Sequence, residues 1–456
     1  MNYRTLIYCL YILNIFYFLT FSLGVNAQNI IRDTEIERII DSYAEPIIKS
    51  AGLNPKTIKI RIIADNSLNA FVTSGNRMFM NTGTILAADS YQEIVGIIAH
   101  EVGHIVGGHT ITFTDQMQSA LTTTLLTSLL GVAAGIATGN SDLGMAVALG
   151  GQGTAQRQIL AFSRGQESAA DQFALKALDD TSQSPQGLIN FFKKISGQEL
   201  LITDRQDPYV RTHPLTSTRI AAIQSFLENS KFKDIKPDEK LEEKHRLMKA
   251  KIYSFLKPLS LTMQKYPLSN DSIEAIYARS VAYYRRGNLE KAIPQIDYLI
   301  NTRPDNPYFW ELKGQMLFEN GHLKKAIKSY RKAIDLSPFS PLILIALAHT
   351  MVETGEQKYT KETQNLLSVA LQKEPNNLFA WDLSAKSYAI NNQLALAAYA
   401  ASEKEIILGN LENVYRYIDK AEKGILKGSP RWLRLQDIKI LANNLMNKKK
   451  NNRRQR

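Results

Sequence analysis

His100-Glu101-Val102-Gly103-His104 sits inside the apolar run Ile94 to Val106, and its reading decides what the surrounding chain must build. A run of that length and composition reads as a helix. At about 100° per residue, His104 lies about 40° around the helix from His100, so both imidazoles leave one face and can hold a single ion. Glu101 flanks that face and reaches a water on the ion without being a ligand itself. Zinc with nitrogen and oxygen ligands and an open fourth position is the expected occupant, one ion per chain. Such an ion brings the pKa of its water toward ~7, which lets Glu101 take the proton at neutral pH. The chain holds seven histidines in 456 residues. Two of them four apart around a glutamate are therefore a specific signal, and a pair of core histidines is the weaker reading.

Two histidines and a water leave one ligand to find. His109 follows Gly107-Gly108, but on a continuing helix it points about 180° away from His100, which favours a structural role. Glu167 is the better choice, within Arg164-Gly165-Gln166-Glu167-Ser168-Ala169-Ala170-Asp171. Glu167 and Asp171 are four apart and share one side of a second helix. The two alanines between them suit close helix packing rather than an exposed acidic pair. Asp171 then either accepts the outer N–H of a metal-bound histidine or acts on the leaving group. A third element is Thr212-His213-Pro214-Leu215 with Arg219. Pro214 holds His213 extended, so that His213 either stabilises an oxyanion or gates the open metal position. Arg219 anchors this loop to an acidic group. A lone His-Pro is otherwise an ordinary structural feature.

Upstream, Thr34 to Ser50 carries a helical stripe of Ile36, Ile39, Ile40, Tyr43, Ile47 and Ile48, and Lys59 to Ala64 reads as a strand. Asn69 to Thr73 and Arg77 to Asn81 read as two short strands around Ser74-Gly75-Asn76. The second of these, with Arg77, Phe79 and Asn81, is the expected edge on which a substrate backbone pairs. Residues 120–150, apolar but diluted by threonine and glycine, read as a hairpin or loop over the same domain, with membrane contact as the alternative.

The N-terminus carries an address. A short basic start, an apolar stretch from Leu6 to Val25 and Val25-Asn26-Ala27 predict export with cleavage after Ala27. An uncleaved membrane anchor is the alternative. The single cysteine, Cys9, lies inside that segment, so the mature chain has no disulfide, thiolate nucleophile or cysteine ligand. The formal charge is +12, yet six positive charges fall between Lys448 and Arg456. Without this tail the chain is only mildly basic, which argues against nucleic acid. The tail itself reads as disordered and solvated, with docking on anionic lipid as the lesser alternative.

From about Asp271 the texture becomes a repeat. Gly287, Gly321 and Gly355 are 34 residues apart, Ala292 and Ala326 share that spacing, and so do Pro304 and Pro338. The unit is helix, turn at glycine, second helix, proline, and such units must stack to bury their apolar faces. Three good units span 271–304, 305–338 and 339–375, with a degenerate fourth over 376–409 and terminal helices to about 446.

With HEVGH at 100–104, ESAAD at 167–171, THP at 212–214 with Arg219, and NAFV at 69–72, the chain resembles the M48 family of metallopeptidases. It is most similar to the periplasmic branch joined to tetratricopeptide repeats. The resemblance implies an α+β, zincin-like, mainly helical protease domain with a small sheet, followed by an all-α repeat superhelix. It also implies zinc on His100, His104 and Glu167, Glu101 as general base, and Asp171 as a second catalytic group. The expected divisions are a signal peptide (1–27), the metalloprotease domain (28–230), a helical linker (231–268), the repeats (269–446) and a basic tail (447–456). The expected function is endoproteolysis of unfolded or stalled exported polypeptides in the periplasm, with the repeats recruiting substrate or the outer-membrane assembly machinery. The alternative is a chaperone-like repeat adaptor with latent protease activity. Unlike the multi-spanning members of that family, this sequence lacks four clear membrane spans, which argues against membrane-embedded substrates; peripheral membrane contact is the further expectation.

Overall fold

In the computed structural model, residues 30–109, 163–196 and 207–454 are described. The expected signal peptide and the 120–150 segment lie outside them. After the two-residue strand β1 (Ile30–Ile31), Asp33 caps helix α1 (Thr34–Ser50) by accepting from Ile36 N at 3.0 Å. Glu35 and Glu37 in the first turn and Lys49 in the last complement the helix dipole. The isoleucine stripe of α1 is buried against β2 (Lys59–Ile63) and against α3 (Tyr91–Val106), the helix of the HEVGH motif.

The sheet corrects one sequence expectation. Its order is β1-β2-β4-β3, with β3 at Ala70–Thr73 and β4 at Arg77–Asn81. The turn at Gly75 (φ 81°) and Asn76 (φ 56°) folds β3 antiparallel to β4. On the other side β2 pairs with β4 in parallel, Lys59 opposite Arg77 through Ile63 opposite Asn81. Arg77, Phe79 and Asn81 thus stand on an interior strand whose backbone is taken on both sides, and cannot add a substrate strand. The free edge on that side is β3, which contains most of the NAFV stretch.

Short α2 (Thr82–Ala87) leads into α3, which Ser90 caps by accepting from Gln92 N. Helix α3 is buried all round from Ile94 to His104, and glycines let its neighbours close in. A Cβ on Gly96 would lie 2.8 Å from the Leu188 backbone, and one on Gly103 2.8 Å from the Ala170 carbonyl oxygen. The first contact seats α5 (Gln186–Ile195); the second seats α4, described over 163–180. Short α6 (Pro208–Thr212) and α7 (Ser217–Asn229) flank the His213 loop.

Residues 231–268 are more than a linker. Helix α8 (Glu239–Leu256) gives Met248 and Ile252 to the protease core and Leu247 to the first repeat core, and α9 (Leu259–Lys265) continues it. A charged surface pattern hid this, because the apolar positions are shared between two cores and neither stripe is complete on its own.

The repeat pairs are α10 (Ile273–Arg285) with α11 (Leu289–Thr302), α12 (Pro307–Glu319) with α13 (Leu323–Leu336), α14 (Pro341–Glu353) with α15 (Thr360–Lys373), and α16 (Leu378–Ile390) with α17 (Leu394–Leu408). The periodic glycines sit in the turn within each pair at φ 76°, 77° and 66°, and Asn392 takes the same left-handed position (φ 55°) in the degenerate fourth. Gly314 of α12 clears the Tyr330 ring of α13, where a Cβ would lie 2.8 Å away. Two terminal helices, α18 (Leu411–Glu422) and α19 (Pro430–Arg454), close the stack. The α19 backbone runs past position 447, where a disordered tail was expected. Lysine and arginine are good helix formers, and cations suit a helix C-terminus.

The two halves meet through residues 32–38. Glu35 accepts from Tyr277 Oη of α10 at 2.7 Å, Thr34 Oγ1 donates to Glu311 Oε1 of α12 at 3.2 Å, and Arg38 donates to Ser340 Oγ at the start of α14 at 3.2 Å. Arg32 pairs with Glu374 beyond α15. Buried Lys251 of α8 ties the cluster together, 2.7 Å from Asp33 and 3.1 Å from Glu35. Among the described residues no helix is long and apolar enough to cross a membrane.

Candidate metal centre

His100 and His104 leave α3 on the side that α4 covers, because Gly103 and Ala170 let the two helices touch. Glu167 lies one turn before that contact, so its carboxylate enters between the imidazoles. Ligand atoms of His100, His104, Glu167 and His213 all fall within 4.8 Å of one another, and all four residues are buried. His100 Nε2 is 3.1 Å from His104 Nε2, 3.4 Å from His213 Nδ1 and 3.3 Å from Glu167 Oε2. Glu167 Oε1 is 3.4 Å from His104 Nε2 and 3.1 Å from His213 Nδ1.

Those spacings test the fit to a metal. A tetrahedral ion with bonds of ~2.0–2.1 Å has its donor atoms about 3.3 Å apart. The five separations, 3.1–3.4 Å, are each close to that spacing. Imidazole nitrogens turned on one another around a carboxylate in a dry pocket fit a cation between them. The sequence leaves His213 between oxyanion stabiliser and gate; in the structure its Nδ1 joins the cluster, 3.4 Å from His100 Nε2 and 3.1 Å from Glu167 Oε1.

Surrounding groups orient these four. His100 Nδ1 lies 2.9 Å from Asp171 Oδ1. Arg219 grips Asp171 with two hydrogen bonds, Nε to Oδ2 at 2.6 Å and Nη2 to Oδ1 at 2.8 Å. The same guanidinium donates to the Pro214 carbonyl at 2.7 Å, lies 3.0 Å from Glu167 and sits over the Phe192 ring. Arg219 therefore clamps the His213 loop to the helix of the acidic residues. Helix α3 ends at Val106, Gly108 turns at φ 62°, and His109 folds back to bring its Nδ1 2.8 Å from that of His104. This places His109 behind a ligand rather than among the four.

Burial opposes charge at Glu167, yet His213, His100 and His104 hold its carboxyl far below the usual range. Burial also opposes charge at Asp171, and Arg219 outweighs it, lowering the pKa. At Glu101 burial wins and raises the pKa. Both Glu101 oxygens are buried without a hydrogen-bond partner among the described residues, and Oε1 lies 3.5 Å from His213 Nε2. Burial would lower the His100 pKa, but Asp171 and Glu167 raise it to about 9; burial lowers that of His104 to about 3.

Arg77, Phe79 and Asn81 do not join this centre. One neighbour went unread in the sequence. Tyr209 is buried, stacks on His213 with ring centroids 4.7 Å apart, and keeps its hydroxyl without a partner among the described residues. It lies one helical turn before His213 in α6, a spacing that carried no signal without a site to place it in.

Residues 31–227 match the sequence profile of peptidase family M48, and residues 298–408 match that of the cytochrome c-type biogenesis protein H TPR domain. Over 403 residues the chain is 21% identical to the beta-barrel assembly-enhancing protease of Yersinia pestis, covering 88% of this chain and 82% of that protein. A putative beta-barrel assembly-enhancing protease of Vibrio cholerae is 22% identical over 419 residues, 89% of this chain and 83% of its own length. The metalloprotease LoiP of Escherichia coli is 26% identical over 175 residues, 38% of this chain and 64% of that protein.

Proposed function

We propose, from the premise that the chain is a metalloprotease with an M48 peptidase domain joined to a tetratricopeptide repeat domain, that it is a zinc endopeptidase for unfolded or stalled exported polypeptides. The observation that carries this reading is the buried cluster of four donors beside Glu101, whose carboxylate oxygens have no hydrogen-bond partner among the described residues.

His100, His104 and Glu167 would hold the zinc, with His213 on the fourth corner in the resting protein. When bound, zinc supplies Lewis acidity toward the scissile carbonyl and lowers the pKa of water. Glu101 then takes the water's proton, and the hydroxyl oxygen bonds to the carbonyl carbon. As the C–N bond breaks, Glu101 returns the proton to the leaving amine. Asp171 orients His100 through Nδ1, and Arg219 holds Asp171 and the loop in register. His213 must withdraw before substrate enters. The edge of β3, packed near α3, is the strand on which an extended substrate backbone would pair.

The names of the relatives matched over most of their length support a place in β-barrel assembly, and the exported N-terminus read from the sequence supports the periplasm as the location. The repeats would recruit substrate or assembly machinery. One observation favours a second reading, an adaptor whose protease is latent: His213 Nδ1 stands among the other donors, where it would take the position that chemistry needs open. Metal content and casein cleavage, measured on the mature chain beside Glu101→Gln, test both. One zinc with cleavage lost in Glu101→Gln supports the peptidase; zinc without cleavage in either form supports the adaptor.

A further inference from the structure

One face of the repeats is already partly covered. First helices of three successive repeats, α10, α12 and α14, hold residues 34–38 of the chain's own protease half. A separate groove opens between the second helices α11 and α13, with α12 as its floor, and its volume is about 970 Å³. None of its lining residues hydrogen-bonds or ion-pairs with the protease half among the described residues. Leu289, Ile293, Pro294, Trp310 and Leu317 make it apolar. Pro294 has no N–H to give the Glu290 carbonyl one turn earlier, so that wall also offers a backbone acceptor.

One edge of the groove is a cation stripe. Lys325, Lys328 and Lys332 lie at i, i+3 and i+7 along α13, on one helix face. Other charges nearby are spoken for: Lys313 pairs with Asp297 at 2.5 Å and Arg331 with Glu362 at 2.7 Å. The three stripe lysines are exposed and make no ion pair among the described residues. An apolar floor excludes a purely polar ligand, and Glu290 and Asp335 on the lining disfavour a sheet of anionic headgroups. Partly exposed Trp310, fixed by its Nε1 bond to the Pro304 carbonyl at 3.0 Å, is the kind of rigid aromatic that anchors binding energy.

We propose that this groove between α11 and α13 binds an amphipathic polypeptide segment whose apolar face is flanked on one edge by carboxylates at helical spacing. The proposal rests on the repeats being the recruiting half of the protein, but not on the protease being active. The carboxylates would meet Lys325, Lys328 and Lys332 while the apolar side chains cover Trp310 and Ile293.

The test uses the full mature chain carrying Glu101→Gln, so that binding is read without cleavage. The probe is a fluorescein-labelled 16-residue amphipathic peptide with leucines on one face and glutamates along one edge, followed by anisotropy. Its counterpart has lysines in place of the glutamates. The glutamate peptide is expected to bind more weakly as salt rises. Affinity should fall at least about tenfold when Lys325, Lys328 and Lys332 are all changed to Glu, as expected for loss of several charge contacts. Reversal of exposed Lys361, Lys423 and Lys427 should leave it unchanged. Equal binding of both peptides, or undiminished binding by the stripe variant, overturns the proposal. So does co-sedimentation with phosphatidylglycerol vesicles that needs the stripe while the peptide does not bind, since the surface would then be a lipid site. Loss of casein cleavage with peptide binding intact bears on the peptidase reading alone.

Discussion

Replacing Gly103 by alanine should loosen the metal centre without touching a ligand. The added Cβ would lie 2.8 Å from Ala170 O and 2.9 Å from Ala170 Cα. Both are backbone atoms, which cannot swing aside as a side chain does. To restore ordinary contact, the motif helix and α4 must separate by about half an ångström, which is more than the ~0.2 Å latitude of a metal–ligand bond. Glu167 rides on the displaced helix one turn from the contact and leaves its corner. The expected cost is about 1–3 kcal/mol of stability from overpacking, with zinc affinity down at least about 10–100-fold, the range for disturbed ligand support. Zinc titration against a competing chelator reads the second effect, and calorimetry with and without chelator reads the first. Gly165→Ala is the control, since its Cβ meets nothing within 4 Å among the described residues. An unchanged zinc affinity and melting point in Gly103→Ala would refute the claim that helix approach at this glycine sets the ligand geometry.

Removing the imidazole at 213 should speed cleavage: if the loop opens about a tenth of the time, His213→Ala gains on the order of tenfold in kcat/KM on a fluorogenic peptide. A loss of activity there would instead assign His213 to the reaction. Tyr209→Phe removes a buried, unpartnered hydroxyl and should raise the melting temperature by an amount worth about 1 kcal/mol; a lower melting point would mean that the hydroxyl is satisfied. Burial raises the Glu311 carboxyl to about 8, with Lys251 opposing. The folded chain therefore keeps a proton that the unfolded chain releases above ~4.3, and the interface loses stability as pH rises through that window toward 8. Glu311→Gln stays neutral, so its melting point should gain on that of the parent between pH 6 and pH 8.5; parallel curves would contradict this.

Periodicity made much of this molecule legible. The α1 stripe, the motif helix and the 34-residue glycine spacing each state a local rule that the backbone follows, down to Asn392 standing where earlier repeats use glycine. Pairwise spacing also brought Glu167 and Asp171 to one side of one helix. What stayed hidden depends on contacts between distant segments. Nothing in Arg77 to Asn81 tells which neighbour β2 will choose, so an interior strand read as an edge. His213 lies 113 residues from His100, and no local pattern says which nitrogen its loop will present. Helix α8 looked like a connector because its apolar side chains answer to two cores at once.

That last feature makes the two halves one cooperative unit. Lys251 sits between carboxylates on the first helix of the protease and the wall of the repeats. Cutting the chain between 231 and 250 would leave buried Lys251 on one fragment and its partners Asp33 and Glu35 on the other. A charge-changing substitution in residues 32–38 therefore disturbs the packing of α1 and of the first repeat helices together, because their polar groups share one buried cluster.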